Sequence, residues 1–397
     1  MKTCQLCGQQ AVETLIDFGP QPICNRFPKV VTDPEATFPM VLEQCRACGL
    51  VQTTQPVPAE ELRPRVDWIT YTEPEGHLDT VADKLARLPG LTGSATFAGI
   101  SFKDDSLLRR MRKRGFTSTW RLDPQADLGV TEQGTGVETL QKRLTPESAR
   151  RIAANRGRVD VLLVRHIFEH AHRPLQFAAA LKELTKPDGY VVIEIPEAEK
   201  ALDLCDYSML WEEHVLYFTP VTFRQCFAQC GFSLVSYECF PYTLENCLLG
   251  VARIDPNPAR EAARADRELQ RADRFAAGLA GQRQQFRQFL TQHRKTQGPV
   301  AIFGAGHLAA TFINLLGLKK HIDFVADDNP NKRGLFMPGS KLPILGSASL
   351  VERDVKLCLL TVAVESEEKV IQKNQAFVRT GGAFASIFPA SRHALKT

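Results

Sequence analysis

No apolar run in this chain is long enough to cross a bilayer, and Met1-Lys2-Thr3-Cys4 opens without the apolar core of an export signal. Neither sign of charge is in real excess: 49 basic and 45 acidic side chains leave a formal +4, too small an imbalance to argue for nucleic acid or a membrane surface. No internal repeat or low-complexity tract is present. These absences predict a cytoplasmic protein without nucleic-acid or membrane partners. A composition of 44% hydrophobic and 24% charged residues is that of a globular protein. A length of 397 residues exceeds one ordinary core and implies two or three domains.

Cysteine is plentiful instead, with 11 in the chain. Without an export signal these read as reduced thiols. Four of them form two pairs, Cys4-Gln5-Leu6-Cys7-Gly8 and Cys45-Arg46-Ala47-Cys48-Gly49. Each pair can grip one metal ion from a tight turn, and four thiolates complete a tetrahedron around zinc. The glycine after each second cysteine allows the positive φ that turns backbone amides toward the sulfurs. Buried core cysteine is the alternative reading. Four thiolates leave no open coordination position, so this metal is expected to be structural and the chemistry lies elsewhere.

Residues 1–60 are rich in Pro and short apolar runs, as suits a small metal-pinned module. Residues 61–255 alternate short β-type runs with helical stretches. Ser94–Ile100, Ser118–Leu122, Val159–Val164 and Tyr190–Ile195 read as strands, with helices over Ser106–Arg114 and Leu175–Leu184. The continuous apolar runs VDVLLV and YVVIEI suit strands buried on both faces, and the alternation predicts a parallel sheet with covering helices. Residues 256–297 have almost no β-branched side chains and predict a long helix, with Gly278 and Gly281 as a possible break. Residues 298–397 restart an α/β pattern: strand Val300–Phe303, turn Gly304-Ala305-Gly306, helix Ala309–Leu316 and strand His321–Ala326. The fold class expected is α/β: a small four-cysteine zinc module, a Rossmann-like domain and a second Rossmann-like α/β domain joined by a long helix.

Three segments carry candidate chemistry. The loop Gly99-Ile100-Ser101-Phe102-Lys103-Asp104-Asp105 follows the first strand of the middle domain, where open α/β sheets bind ligands. Asp123 ends the next strand at the distance from which an acid holds a ribose, although an Asp before Pro is also an ordinary turn residue. Arg165-His166-Ile167-Phe168-Glu169-His170 follows a buried strand, and its histidines do not have a standard zinc spacing. Trp211-Glu212-Glu213-His214-Val215-Leu216-Tyr217-Phe218 gathers acids, a histidine and aromatics. It reads either as a capped loop or as a general base, His214, oriented by Glu213. The short Gly304-Ala305-Gly306 lacks a third glycine, so a dinucleotide is not expected there.

Taken together these motifs resemble the bacterial C-methyltransferases that act on nucleotide-linked keto-deoxysugars. The resemblance runs nearly end to end: the Cys4/Cys7/Cys45/Cys48 module with Cys48-Gly49-Leu50-Val51-Gln52, then His170 and Glu213-His214 with Tyr217-Phe218, then Asp327-Asp328-Asn329-Pro330-Asn331-Lys332 with Phe336-Met337-Pro338-Gly339. It implies structural zinc, S-adenosylmethionine as cofactor and a nucleotide sugar as substrate, the last domain helping to hold the nucleotide. It makes His214 the base beside the ketone, and has Glu213, His170 and Tyr71 orient the sugar or stabilise the enolate oxygen. Gly99, Ser101, Lys103, Asp104, Asp123 and His166 would bind cofactor, and Trp211, Tyr217 and Asn246 substrate. The family's glycines in the first loop are replaced here by Ser101-Phe102-Lys103-Asp104-Asp105, and its glycine pair before the last middle-domain strand by Glu245-Asn246-Cys247. Two other functions therefore stand beside methyl transfer: cofactor-free enolisation of a keto sugar (epimerisation or elimination), and non-catalytic sugar-nucleotide binding.

Overall fold

The computed structural model describes residues 2–69, 73–132, 134–259 and 265–396. Their contacts divide the chain into two units. One comprises Met1–Thr14, Leu42–Glu199 and Glu213–Leu269; the other comprises Leu15–Val41, Lys200–Glu212 and Gln270–Thr397. The chain is α/β, with a cysteine module, a central mixed sheet and a parallel carboxyl-terminal sheet linked by the helix Ala265–Thr296.

The strands, in chain order, begin with β1 (Val12–Pro22), β2 (Thr37–Cys45) and β3 (Val51–Gln52) around the cysteine module. The central sheet takes β4 (Phe97–Gly99), β5 (Thr119–Arg121), β6 (Val159–Arg165) and β7 (Thr185–Pro196). After β8 (Leu216–Tyr217) come β9 (Phe232–Phe240) and β10 (Cys247–Ile254). The spatial order is β5-β4-β6-β7-β10-β9. The first four are parallel, as the strand–helix alternation predicts. The last pair corrects the all-parallel expectation: β10 runs antiparallel to both β7 and β9. The connection Pro241–Asn246 is too short for a crossover and can only make a hairpin.

β6 and β7 are buried on both faces, as their apolar runs require. β4 and β5 are shorter than the sequence suggests, Phe97–Gly99 and Thr119–Arg121, and only β5 lies at the sheet's edge. Leaving β4 for β5 on one side and returning to β6 on the other makes a switch point at the carboxyl end of β4, where open α/β sheets form their ligand crevice.

In the second unit β11 (Val300–Phe303), β12 (Phe324–Ala326), β13 (Ile344–Leu345), β14 (Leu357–Leu360) and β15 (Ala383–Ser386) form a parallel sheet in the order β13-β12-β11-β14-β15. Gly304 has φ 108°, and a Cβ there would lie 2.8 Å from Val362 Cγ1, so this glycine serves close packing. Asp327 Oδ2 accepts from Ala305 N at 2.8 Å and fixes the same turn. The helix Ala265–Thr296 is continuous through Gly278 and Gly281. No break occurs: Gly278 is there because a Cβ would crowd Cys205 Sγ at 3.0 Å and the Tyr207 hydroxyl at 3.1 Å.

The two cysteine turns are alike. Gly8 N donates to Cys4 O at 3.2 Å and Gly49 N to Cys45 O at 2.8 Å, with φ of 74° and 79° at the glycines. Cys4 and Cys48 sulfurs are 3.8 Å apart, Cys7 and Cys45 sulfurs 3.6 Å, and all four lie within 4.8 Å of one another. Zinc–sulfur bonds of about 2.3 Å give a tetrahedral edge of about 3.8 Å. The sulfurs therefore fit a structural zinc ion.

From this module β3 reaches β8 and pairs with it, Val51 against Tyr217 and Gln52 against Leu216. Thr53 N donates to Val215 O at 2.9 Å, and Val215 N donates to Glu169 O at 2.8 Å. The metal module thus braces the Glu213–Tyr217 segment from one side while the turn after β6 holds it from the other. Stripping zinc with a strong chelator is expected to speed amide exchange at 51–53 and 215–217 together, read by hydrogen-exchange mass spectrometry. Unchanged protection at 215–217 would show that the module does not brace this segment.

Candidate active site

The carboxyl ends of β4, β6 and β7 meet in a block of buried charge. Arg165, the last residue of β6, is only 1% exposed. Its guanidinium pairs bidentately with Glu194 of β7, Nε to Oε2 at 3.1 Å and Nη2 to Oε1 at 2.9 Å, and Nη1 donates to Lys103 O. A bidentate fork is the geometry in which such a pair best offsets its desolvation. Burial opposes the charge on Glu194, but Arg165, His166 and His77 hold its carboxyl well below the usual range.

Asp104 lies inside the loop after β4. Its Oδ2 accepts from Ile100 N at 2.8 Å and Ser101 N at 2.9 Å, and its Oδ1 from Arg165 N at 3.0 Å. A Cβ on Gly99 would stand 2.5 Å from Asp104 Cβ, so Gly99 is the residue that admits this carboxylate. Amides that a glycine loop would turn toward a ligand are here satisfied by the chain's own Asp104 carboxyl, which burial pushes up to about 7. Gly99, Ser101 and Asp104 thus shape the loop from within, and Lys103 pairs with Glu73.

His166 follows at φ 46°, a left-handed turn costing of order 1 kcal/mol for a non-glycine residue. The turn swings the ring back to 3.1 Å from Glu194 Oε1, with Nδ1 3.6 Å from Glu73 Oε2 and 3.7 Å from Glu169 Oε1. Burial works against its charge, yet Glu73, Cys247 and Glu194 raise His166 well above its ordinary range. Burial likewise opposes ionisation of Glu73, and His166 with Lys103 still holds its carboxyl down at about 2. His77 closes the cluster, Nε2 3.2 Å from Glu194 Oε2 and Nδ1 2.7 Å from the Tyr242 hydroxyl. Burial, reinforced by Glu73, pushes Glu245 up to about 8.

Beside this block stand the sequence's base candidates. The His170 and His214 rings meet edge to face, centroids 4.8 Å apart, and Tyr217 lies 6.2 Å from His214. Glu138, in the first turn of the helix Val137–Arg143, brings Oε1 to 2.9 Å from His170 Nδ1. Glu138, His170 and Glu213 form one group of converging ligand atoms, and Glu169, His170 and His214 a second. Burial opposes charge on His170, but Glu138 raises its pKa; burial raises Glu169.

Other expected residues are placed differently. Asp123 is exposed and caps the helix Pro124–Leu128, its Oδ1 accepting from Gln125 N at 2.9 Å and Ala126 N at 2.7 Å; this is the turn role at the position expected for a ribose contact. Asn246 Nδ2 donates to Glu197 Oε2 at 3.1 Å, and its Oδ1 accepts from Tyr242 N. Trp211 belongs to the second unit, where its ring stacks on His307 at 4.5 Å. Tyr71 lies outside the described residues. Sequence reasoning missed Glu73, His77, Glu138 and Glu194. Only Glu194 left a signal, as an acid inside the buried strand YVVIEI.

Three family models match along the chain: a zinc binding domain over residues 4–62, a methyltransferase domain over 98–237 and a C-methyltransferase C-terminal domain over 251–389. The chain is a methyltransferase. It is 22% identical to the C-methyltransferase NovU of Streptomyces niveus over 415 residues, covering 98% of this chain and 96% of that protein. Among solved structures it is similar to the 1,6-didemethyltoxoflavin-N1-methyltransferase of Burkholderia thailandensis (13% identity, 46% of this chain and 80% of that one, TM-score 0.31). A methyltransferase from Aquifex aeolicus is similar at 15% identity over 49% of this chain and 95% of its own, TM-score 0.28.

The methyltransferase's site residues carry charges of both signs, as S-adenosylmethionine does. That cofactor carries a sulfonium and an ammonium against one carboxylate, and the site offers Glu73 as an anion beside the cations His166 and Lys103, with Glu169 and Glu245 raised by burial. Ionising Glu245 adds a negative charge toward a cationic ligand, so affinity for S-adenosylmethionine is expected to rise as pH passes through about 8. Glu245→Gln should flatten this rise relative to the parent chain, as measured by titration calorimetry between pH 7 and 9. An equal rise in both would place Glu245 away from the cofactor.

Proposed function

We propose that this methyltransferase transfers a methyl group from S-adenosylmethionine to a carbon beside the ketone of a nucleotide-linked keto-deoxysugar. One observation carries the reading. The Glu213–Tyr217 segment, clamped between the zinc module's β3 and Glu169, presents the His214 ring edge to face with His170 beside two buried carboxylates. The keto-sugar part rests on the resemblance of Glu213-His214, His170 and the carboxyl-terminal Asp327–Lys332 segment to that family, and the C-methyltransferase NovU supports the choice of carbon.

A proton next to a ketone is weakly acidic, so its removal needs a base working near neutral pH and a stabiliser for the oxygen that gains charge. His214 accepts the proton, the C–H electron pair moves into the enolate, and His170 with Glu213 orients the sugar or steadies the enolate oxygen. Lys103, Glu73, Glu169 and Glu245 would hold the cofactor. When bound it supplies an electrophilic methyl group to the nucleophilic carbon.

The test is a nucleotide keto-deoxysugar incubated in deuterated water with and without cofactor. Methylated sugar with cofactor is the expected product, and His214→Ala should lower its rate roughly 10²–10⁴-fold. Deuterium uptake without methylation under any condition would instead assign cofactor-free enolisation. Neither uptake nor methylation, in a chain that binds the sugar nucleotide, would leave only a binding role.

A further inference from the structure

We propose that the four-cysteine module is also a thiol redox switch: oxidation of Cys7 by a peroxide, resolved by Cys45, expels the zinc ion and unclamps the Glu213–Tyr217 segment. The four sulfurs are not equally open to attack. Cys4, Cys45 and Cys48 are 2%, 0% and 6% exposed, whereas Cys7 is partly exposed. Sulfur bound to a metal is thiolate, the nucleophilic form, so Cys7 is where a small oxidant meets an activated sulfur. Its partner is already in place. Cys45 Sγ lies 3.6 Å from Cys7 Sγ, and a disulfide closes at about 2.05 Å.

One equivalent of hydrogen peroxide balances the chemistry. The Cys7 thiolate attacks one peroxide oxygen, the O–O bond breaks, and hydroxide leaves behind a sulfenic acid. The Cys45 thiolate then attacks that sulfur and displaces a second hydroxide. Two thiolates are oxidised to one disulfide while the peroxide is reduced to two hydroxides. Zinc is left with Cys4 and Cys48, half the thiolates of its tetrahedron, and departs as the divalent ion.

The effect reaches the candidate active site because the strand that follows Cys45 is the clamp. Cys45 ends β2, and its amide donates to Leu50 O at 2.9 Å to close the turn into β3. β3 then pairs with β8 through Val51 and Gln52. Cys4, Cys45, Cys48 and Leu50 also share one buried apolar cluster with Val215, Leu216 and Phe218. Closing the disulfide draws the two sulfurs together by about 1.5 Å, at the root of this turn, just as the ion that fixed it leaves. A module this small keeps its fold through its metal. His214 adjoins Val215, so the placement of its ring follows zinc occupancy. The switch does not depend on which substrate accepts the methyl group.

The experiment treats zinc-loaded full-length protein with hydrogen peroxide. Zinc release is followed with a chromogenic chelator, disulfide formation by peptide mass mapping, and amide exchange at 215–217 by mass spectrometry. Release of one zinc per chain, a Cys7–Cys45 disulfide and faster exchange at 215–217 are expected, all reversed by dithiothreitol with added zinc. Cys239, an exposed thiol outside the module, reports that oxidant is present, and Cys239→Ser should lose zinc at the parental dose. Cys7→His, which keeps a fourth zinc ligand and removes the thiolate under attack, should hold its zinc at doses that empty the parent chain. If that variant does not fold, the parent chain alone decides. Zinc retained at doses that oxidise Cys239 overturns the switch. So does release that leaves exchange at 215–217 unchanged, or release that reductant and zinc fail to reverse.

Discussion

Arg165 and Glu194 leave water together, and the candidate site is arranged around that fact. Removing one partner of a buried pair typically costs about 3–5 kcal/mol, because the other charge is stranded. The pair fixes more than itself. Arg165 also reaches the loop after β4 through Lys103 O, and its own amide anchors Asp104. Glu194 gathers His166 and His77 on its remaining lone pairs. Loop, β6, β7 and the turn carrying His170 are thereby set by one pair of charges where glycines and open backbone amides would otherwise form the crevice.

The electrostatic consequence is a site in which buried charges of both signs are paired. Glu73 stays ionised because His166 and Lys103 face it, while Glu245 is lifted by burial and by Glu73. The amides of Ile100 and Ser101 in the loop are already taken up by Asp104.

Much of this was legible in the sequence and some was not, for identifiable reasons. The paired Cys-x-x-Cys turns announce their site because ligand spacing is local. The runs VDVLLV and YVVIEI announce central strands because burial on both faces removes the polar alternation. Glu138 and Glu73 stayed hidden because they come from elements distant in the chain, and a lone acid at the start of a helix reads as a cap-region charge. Asp104 differs for another reason: an acid in a crevice loop suggests a ligand contact, whereas in the fold it turns back on Ile100, Ser101 and Arg165. The antiparallel β9–β10 pair escaped because Pro241–Asn246 has no strong hairpin turn signature.

The most direct test of the site as one for a sulfonium methyl donor is calorimetric titration of the zinc-loaded protein with S-adenosylmethionine and, separately, with its neutral thioether product S-adenosylhomocysteine. The account predicts saturable binding of S-adenosylmethionine, tighter than that of the product, since only the former carries the sulfonium charge. Absence of binding by either compound to folded, zinc-loaded protein would contradict it.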